Sequence, residues 1–220
     1  MKKGDALIAF NTDGRGCVGY LERTGFSFDG AKVAICGTGP TALAILHAAA
    51  IAGASEVLLL SRDKERAREV LDRYVDEFGT LAHATVDLQA AVDGHRSFLT
   101  AYDETTFKFG SYTTSTQAIA AADLVINATP LGMLEGDPAP FDVSLFHEGQ
   151  RAFDVVYAHG ETAFAAGAKA AGCTFADGGG MLVAQAVATV QAVCDVSGID
   201  CELSFDELFE IMANAAGFNV

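Results

Sequence analysis

The 220-residue chain has no tryptophan, only four prolines, and only 14 lysines and arginines against 29 aspartates and glutamates. The shortage of basic residues leaves a formal net charge of −15. A field of that sign repels a polyphosphate backbone, which argues against nucleic-acid binding through a basic face. Any phosphate must be held locally, by backbone N–H groups and a few placed arginines. No apolar run reaches membrane-spanning length, the longest candidates being broken by glycine and charge. The opening Met1-Lys2-Lys3-Gly4-Asp5-Ala6 lacks the apolar core of a secretory leader. Cys17, Cys36, Cys173, Cys194 and Cys201 form no C-x-x-C pair, and His47, His83, His95, His147 and His159 show no H-x-x-x-H spacing. Neither a disulfide framework nor a metal site is expected. Low-complexity tracts and long like-charge blocks are also missing, and half the residues are hydrophobic, which excludes intrinsic disorder. The expectation is an acidic, soluble, cytoplasmic globular protein.

What is present is an alternation of apolar runs and helix-favouring stretches. Strand-like runs occupy Lys32 to Cys36, Glu56 to Leu60, Leu124 to Ala128, Ala152 to Tyr157 and Cys173 to Ala176. Helices are expected from Thr41 to Ala52, Asp63 to Phe78 with Gly79 as its stop, Glu161 to Ala171, Met181 to Val196, and Ser204 to Ala216. Residues 80–117 are the least legible: a short helix from Leu88 to Val92 and a strand from Ser97 to Tyr102 are the readings, with no clean period from Glu104 to Gln117. This alternation predicts an α/β fold, a doubly wound, Rossmann-like parallel sheet with helices on both faces. The expected division is a segment 1–30 carrying an Asn-Thr-Asp motif and a dinucleotide-binding domain 31–220 with C-terminal helices.

Gly37-Thr38-Gly39-Pro40-Thr41-Ala42 is a G-x-G-x-x-A pattern between a strand and a helix. In that context the first glycine allows a tight turn, the second lets backbone approach a pyrophosphate, and the helix N-terminus favours the anion. A structural turn without a nucleotide is the competing reading. The next strand ends in Ser61-Arg62-Asp63, with Arg66 one turn on. Arginines there suit the 2′-phosphate of NADP, whereas Asp63 could accept from the 2′-hydroxyl of NAD. Asn11-Thr12-Asp13-Gly14 reads alone as a turn entering a helix, with Asp13 as its N-cap. Asp177-Gly178-Gly179-Gly180 reads alone as a flexible loop at a helix start.

Together these segments resemble the shikimate/quinate dehydrogenase family. Asn11 to Gly14, Gly37 to Gly39, Ser61-Arg62 with Arg66, Asn127-Ala128-Thr129-Pro130-Leu131-Gly132-Met133, Asp154 to Tyr157 with Thr162, and Gly178 with Met181, Leu182 and Gln185 occur in family order. The likeness spans roughly residues 8 to 196 and points to the family's C-terminal cofactor domain. It implies Asp13 as catalytic and substrate-binding, with Thr12, Tyr157 and Gln185 as further substrate contacts. It implies a cofactor site of Gly37, Thr38, Gly39, Pro40, Thr41, Ser61, Arg62, Arg66, Asn127, Thr129, Val155 and Gly178. The implied cofactor is NADP, with NAD as the alternative. The implied reaction is hydride transfer between 3-dehydroshikimate and shikimate. The family's N-terminal substrate domain, which carries its catalytic lysine, has no counterpart here. Lys2, Lys3, Lys32, Lys64, Lys108 and Lys169 are the only lysines, and none stands in that context. The expectation is a cofactor domain inactive without that partner domain. A stand-alone dinucleotide-binding or sensing module, a quinate dehydrogenase using NAD, and a different NADP enzyme such as glutamyl-tRNA reductase are the alternatives.

Overall fold

The computed structural model describes residues 2–3, 6–89 and 105–218. Two short strands, β1 (Lys2–Lys3) and β2 (Ala6–Leu7), pair antiparallel, and helix α1 (Asp13–Arg23) follows. Six strands then form one sheet: β3 (Lys32–Cys36), β4 (Glu56–Ser61), β5 (Thr106–Ser111), β6 (Leu124–Asn127), β7 (Arg151–Asp154) and β8 (Thr174–Asp177). Their order is β5-β4-β3-β6-β7-β8, every pair parallel. The connecting helices are α2 (Pro40–Ile51), α3 (Lys64–Gln89), α4 (Thr116–Ala120), α5 (Ala163–Ala170), α6 (Gly178–Ser197) and α7 (Phe205–Ala216). This is the doubly wound order, in which the chain leaves β3 in one direction, returns, and builds outward from β6 in the other.

The central strands are apolar throughout because both their faces are covered. Val33 and Ile35 of β3 join one core, with Leu21 of α1, Ile45 and Leu46 of α2, Val187 of α6 and Phe209 of α7. Ala34 and Cys36, the alternate residues, join a second core on the other face. There Phe141, Phe146 and Phe164 meet edge-on, with centroids 5.2–6.0 Å apart, and α4 and α5 close the layer.

Helix α1 lies unusually close to its neighbours. A Cβ at Gly14 would fall 2.1 Å from the Ala44 carbonyl oxygen, and one at Gly16 would fall 2.5 Å from Gln185 Cγ. Across the same layer, a Cβ at Gly180 would sit 2.1 Å from the Tyr20 ring. Arg23 then fastens α7 to α1, pairing with Asp206 and Glu210 and lying 4.6 Å over the Phe209 ring. Ser204 opens α7 with a capping box to Glu207.

The sheet class and most elements follow the sequence reading, with corrections at particular ends. Helix α3 does not stop at Gly79 but runs to Gln89. A sixth strand, β5, occupies the stretch without a clean period. The helix expected from Leu88 to Val92 meets only the end of α3, and the strand from Ser97 to Tyr102 lies outside the described residues. Strand β7 ends at Asp154, not Tyr157, because the Asp154 side chain turns in and accepts from Val156 N at 3.1 Å. Helix α6 starts at Gly178, with Asp177 accepting from Gly179 N at 2.9 Å. The three glycines are therefore buried helix residues and not a flexible loop. Counted from there, α6 is long and apolar enough by composition to cross a membrane, contrary to the sequence reading. Here its Met181, Val183, Ala184, Val187 and Ala188 are buried in the first core.

His147 connects α4 to the segment before β7. Its Nε2 faces the Ala120 carbonyl at 2.9 Å and its Nδ1 the Glu148 carbonyl at 2.8 Å. Two acceptors require two N–H donors, so these bonds, Glu148's foremost, raise the imidazole pKa above its ordinary value. A raised folded pKa gives stabilisation that is complete below the unfolded value of about 6.5 and is lost as pH rises through the folded one. His147→Gln is expected to lose urea resistance relative to wild type near pH ~5, with the gap narrowing toward pH ~8. A gap independent of pH would mean that the ring acts only as a spacer.

Candidate active site

The candidate residues expected from sequence lie on the loops after β3, β4, β6 and β7 and on helices α1, α2, α3 and α6. At the β3 end, Gly37 has φ +120°, and a Cβ there would sit 2.6 Å from the Ala128 carbonyl oxygen. Only glycine fits that turn. Gly37 N donates to Leu60 O and Ala128 N to Cys36 O, both at 2.8 Å, so the loop is tied to its neighbours on each side. Gly39 differs: its backbone is extended, and a Cβ there would meet nothing within 4 Å. The open side is where a ligand can approach the backbone. Pro40 opens α2, and no side chain caps it. The Thr41 N–H of its first turn therefore remains available to an anion at the positive end of the helix. Thr38 lies between the two glycines, half-buried.

At the β4 end, Ser61 is half-buried while Arg62 and Arg66 are exposed. Asp63 is turned toward the start of α3, its Oδ1 accepting from Glu65 N at 3.0 Å. One oxygen of that carboxylate serves the helix start, although Asp63, Lys64 and Glu65 are exposed like the two arginines. Arg66 lies 3.9 Å from Glu69, a distance that yields little in water. Arg62 has no ion-pair partner among the described residues.

Asp13 sits at the start of α1 but does not cap it. Thr12 is the N-cap residue, without a side-chain cap bond, and Asp13 is the first helical residue. The Asp13 carboxylate instead receives Thr41 Oγ1 at 2.9 Å on one oxygen and Gln185 Nε2 at 2.8 Å on the other. Asn11 Oδ1 accepts from Asp13 N at 2.9 Å. The tight packing at Gly14 and Gly16 brings α1 close enough for both bonds. Beneath them, burial and the Asp13 charge push the Cys17 thiol far above its ordinary pKa, so it stays protonated.

A second cluster lies under the β6 and β7 loops. The Asn127 side chain is fully buried: Nδ2 donates to Asp154 Oδ1 at 2.9 Å and Leu131 O at 3.0 Å. Its Oδ1 accepts from Thr129 N at 3.1 Å and Thr129 Oγ1 at 2.6 Å. Asp154 Oδ2 accepts from Thr162 Oγ1 at 2.6 Å, and Thr162 caps α5 through Ala165 N. Burial, with the Asp177 charge adding to it, raises the Asp154 pKa, while its three donors pull the other way. The side-chain atoms of Asn127 are thus all committed inward. Asn127, expected beside the cofactor path, uses its side chain to hold the shape of this loop. Asp154 and Thr162, quoted in the motif without a role, complete that support.

On the far side, Gly178 meets the β7 loop so closely that a Cβ would lie 2.0 Å from the Val155 carbonyl oxygen. Tyr157, 37% exposed, packs against Phe218 with centroids 6.4 Å apart, and Ala158 after it takes φ +60°. The expected residues therefore form three sets. Asp13, Thr41 and Gln185 are joined directly, Asn127 and Thr129 are joined through the Asp154 network, and Val155, Gly178 and Tyr157 are in contact. Arg62 and Arg66 stand apart at the β4 end. Four strand steps separate β4 from β8 along this edge, ~19 Å at the usual spacing.

No family model matches the chain. The NADP(+) shikimate dehydrogenase of Moorella thermoacetica is 36% identical over 185 residues, covering 83% of this chain and 54% of the relative. Among solved structures, the 5-ketofructose reductase of Gluconobacter aligns with a TM-score of 0.67 at 26% identity, covering 97% of this chain and 66% of that one. The quinate dehydrogenase of Corynebacterium glutamicum, solved with NAD, aligns with a TM-score of 0.65 at 26% identity, covering 93% and 62%. The chain is thus related to the shikimate dehydrogenases and spans about half the length of the curated relatives it matches.

Replacing Asn127 by leucine would leave buried Asp154 and Thr129 short of partners. Each unsatisfied buried group costs about 1–3 kcal/mol, so a loss of about 2–4 kcal/mol of stability is expected from urea unfolding. An unchanged midpoint would remove the network from the support of the loops.

Proposed function

We propose that this chain is the cofactor-binding part of an NADP-dependent shikimate dehydrogenase. One observation carries the reading: the Asp13 carboxylate is shared between Thr41 of the glycine loop and Gln185 of the Met-Leu-x-x-Gln segment. A group suited to a substrate hydroxyl is thereby fixed to the helix that would hold a pyrophosphate. The open face at Gly39 and the uncapped first turn of α2 fit such a cofactor. Gly37 to Thr41 would hold the pyrophosphate, Ser61, Arg62 and Arg66 the adenosine end, and Thr129, Val155 and Gly178 the nicotinamide path. A bound nicotinamide supplies the hydride acceptor or donor.

The chain's own residues bind and orient. Asp13 retains lone pairs beyond those used by Thr41 and Gln185, enough to accept a substrate hydroxyl and help move its proton. Tyr157 and Gln185 would position the ring. The remaining substrate contacts and the catalytic lysine would come from the part of the relatives that this chain does not span. As purified, the chain is expected to bind NADP without appreciable shikimate oxidation, because orientation and proton transfer together supply most of the barrier reduction. Robust shikimate-dependent NADPH formation would show that the chain itself holds a complete set.

NADP is expected to bind more tightly than NAD. The 2′-phosphate brings about two negative charges into an acidic protein, and Arg62 and Arg66 are placed to offset them. Arg62→Ala should weaken NADP by about one to two powers of ten while leaving NAD unchanged. Calorimetric titration of both cofactors measures this. Equal or tighter NAD binding by wild type would favour the NAD-dependent quinate reading.

A further inference from the structure

The strand beside β4 brings a residue to the adenosine end that no motif marks. In the β4–β5 pairing, Ser61 is opposite Ser111, and Tyr112 N donates to the Ser61 carbonyl at 3.2 Å. Tyr112 is therefore bonded to the residue immediately before Arg62. Its ring runs back beneath the ends of the strands into the second core, among Cys36, Leu58 and Leu60, and the residue is only 9% exposed. The phenol interacts electrostatically with Arg62 on one side and Cys36 on the other. Cys36 is the last residue of β3, directly before the glycine loop.

The polar end of this side chain has no assigned task. Among the described residues, the Tyr112 hydroxyl makes no hydrogen bond. Its oxygen is also not one of the fully buried, unsatisfied side-chain atoms, which among the described residues is Arg151 Nε alone. The hydroxyl oxygen thus keeps some solvent contact, within electrostatic range of Arg62, which has no ion-pair partner among the described residues. Burial foremost, against the opposing pull of Arg62, keeps the phenol pKa well above its ordinary value. The group is consequently a neutral O–H donor at any physiological pH. A buried ring with one free donor at a surface loses little side-chain entropy when a ligand arrives.

We propose that Tyr112 is a specificity-determining residue, donating its hydroxyl proton to the 2′-phosphate of the adenosine ribose alongside Arg62. This rests on the dinucleotide reading given above and adds a second, neutral recognition element to it. The donor matters in an acidic protein because it binds a phosphate oxygen without needing a counter-charge. It also rigidifies the site, since the ring is fixed by packing while Arg62 is a long exposed chain.

The test uses the purified chain with adenosine 2′,5′-bisphosphate and 5′-AMP, two probes that differ only by the 2′-phosphate. Tyr112→Phe should weaken the bisphosphate roughly ten-fold in calorimetric titration and leave 5′-AMP unchanged. An equal loss for both probes, or none for either, would overturn the assignment. Should the variant fold poorly, the wild type answers independently. With no tryptophan in the chain, a tyrosine difference spectrum induced by the bisphosphate but not by 5′-AMP supports the contact. Identical spectra for the two would count against it. Binding of neither probe by wild type would remove the dinucleotide reading, and this one with it. Normal binding with an insensitive Tyr112→Phe removes only this one.

Discussion

One carboxylate, Asp13, couples three helices that the chain brings together from widely separated positions. Its partners Thr41 and Gln185 are 28 and 172 residues away. Side chains larger than hydrogen at the contact would put extra distance between α1 and the helices carrying those partners, toward the usual spacing of about 8–10 Å between axes. Gly14 and Gly16 remove that distance. The same contacts that seal the first core therefore set the separation between the Asn-Thr-Asp motif and the glycine loop. Packing and chemistry are the same constraint here, so a bulkier residue at Gly14 would disturb both.

The loops on the other half of the sheet rest on a different device. Asn127 and Asp154 end adjacent parallel strands and are fully paired inward. A buried carboxylate is costly unless its acceptors are filled, and Asp154 receives Asn127, Val156 N and Thr162. Each donor comes from a segment that borders the crevice. The cost of burying that charge is offset only when those segments are in place, so the network holds the β6 loop, the β7 loop and the start of α5 in one arrangement.

Legibility in the sequence followed burial. Strands β3, β4 and β6 are covered on both faces, and their uninterrupted apolar runs were readable. Edge strand β5 was not, because Thr106 and Lys108 face solvent and Gly110 interrupts the pattern. Gly79 was read as a stop, yet a mid-helix glycine costs only about 1 kcal/mol against alanine and cannot end a long helix by itself. Gly178 to Gly180 looked like flexibility, whereas their missing side chains make room for Val155, Phe218 and Tyr20. Of the candidate site, the motifs were legible as patterns. The roles were less so: nothing in the sequence shows that Asp13 leaves the cap to Thr12, that Asn127 is buried, or that Tyr112 follows Ser61 across a strand pair. Those are facts of register and helix spacing.

The distribution of charge along the crevice gives these parts a direction. A net charge of −15 acts over the whole molecule, but at physiological salt its reach is cut to a Debye length of about 8 Å. What a ligand feels at each strand end is local. At the β4 end Arg62, Lys64 and Arg66 are exposed together with Asp63 and Glu65, Asp63 accepting from Glu65 N and Glu65 pairing with Arg68. Next along the edge come the backbone donors of α2. Toward β7 and β8 the charges are Asp154 and Asp177, whereas Asp13 lies against Thr41 in the first turn of α2. The edge thus has arginines at the β4 end and two carboxylates at the β7 and β8 end, with the α2 donors and Asp13 between them. A dinucleotide of the proposed kind has the matching order: a 2′-phosphate, a pyrophosphate, and a ring that is cationic when oxidised. Reversing it would set phosphate against carboxylates and the cationic ring against arginines. The acidic composition, which at first sight argues against phosphate binding, is therefore compatible with it through local arrangement, and it favours one orientation.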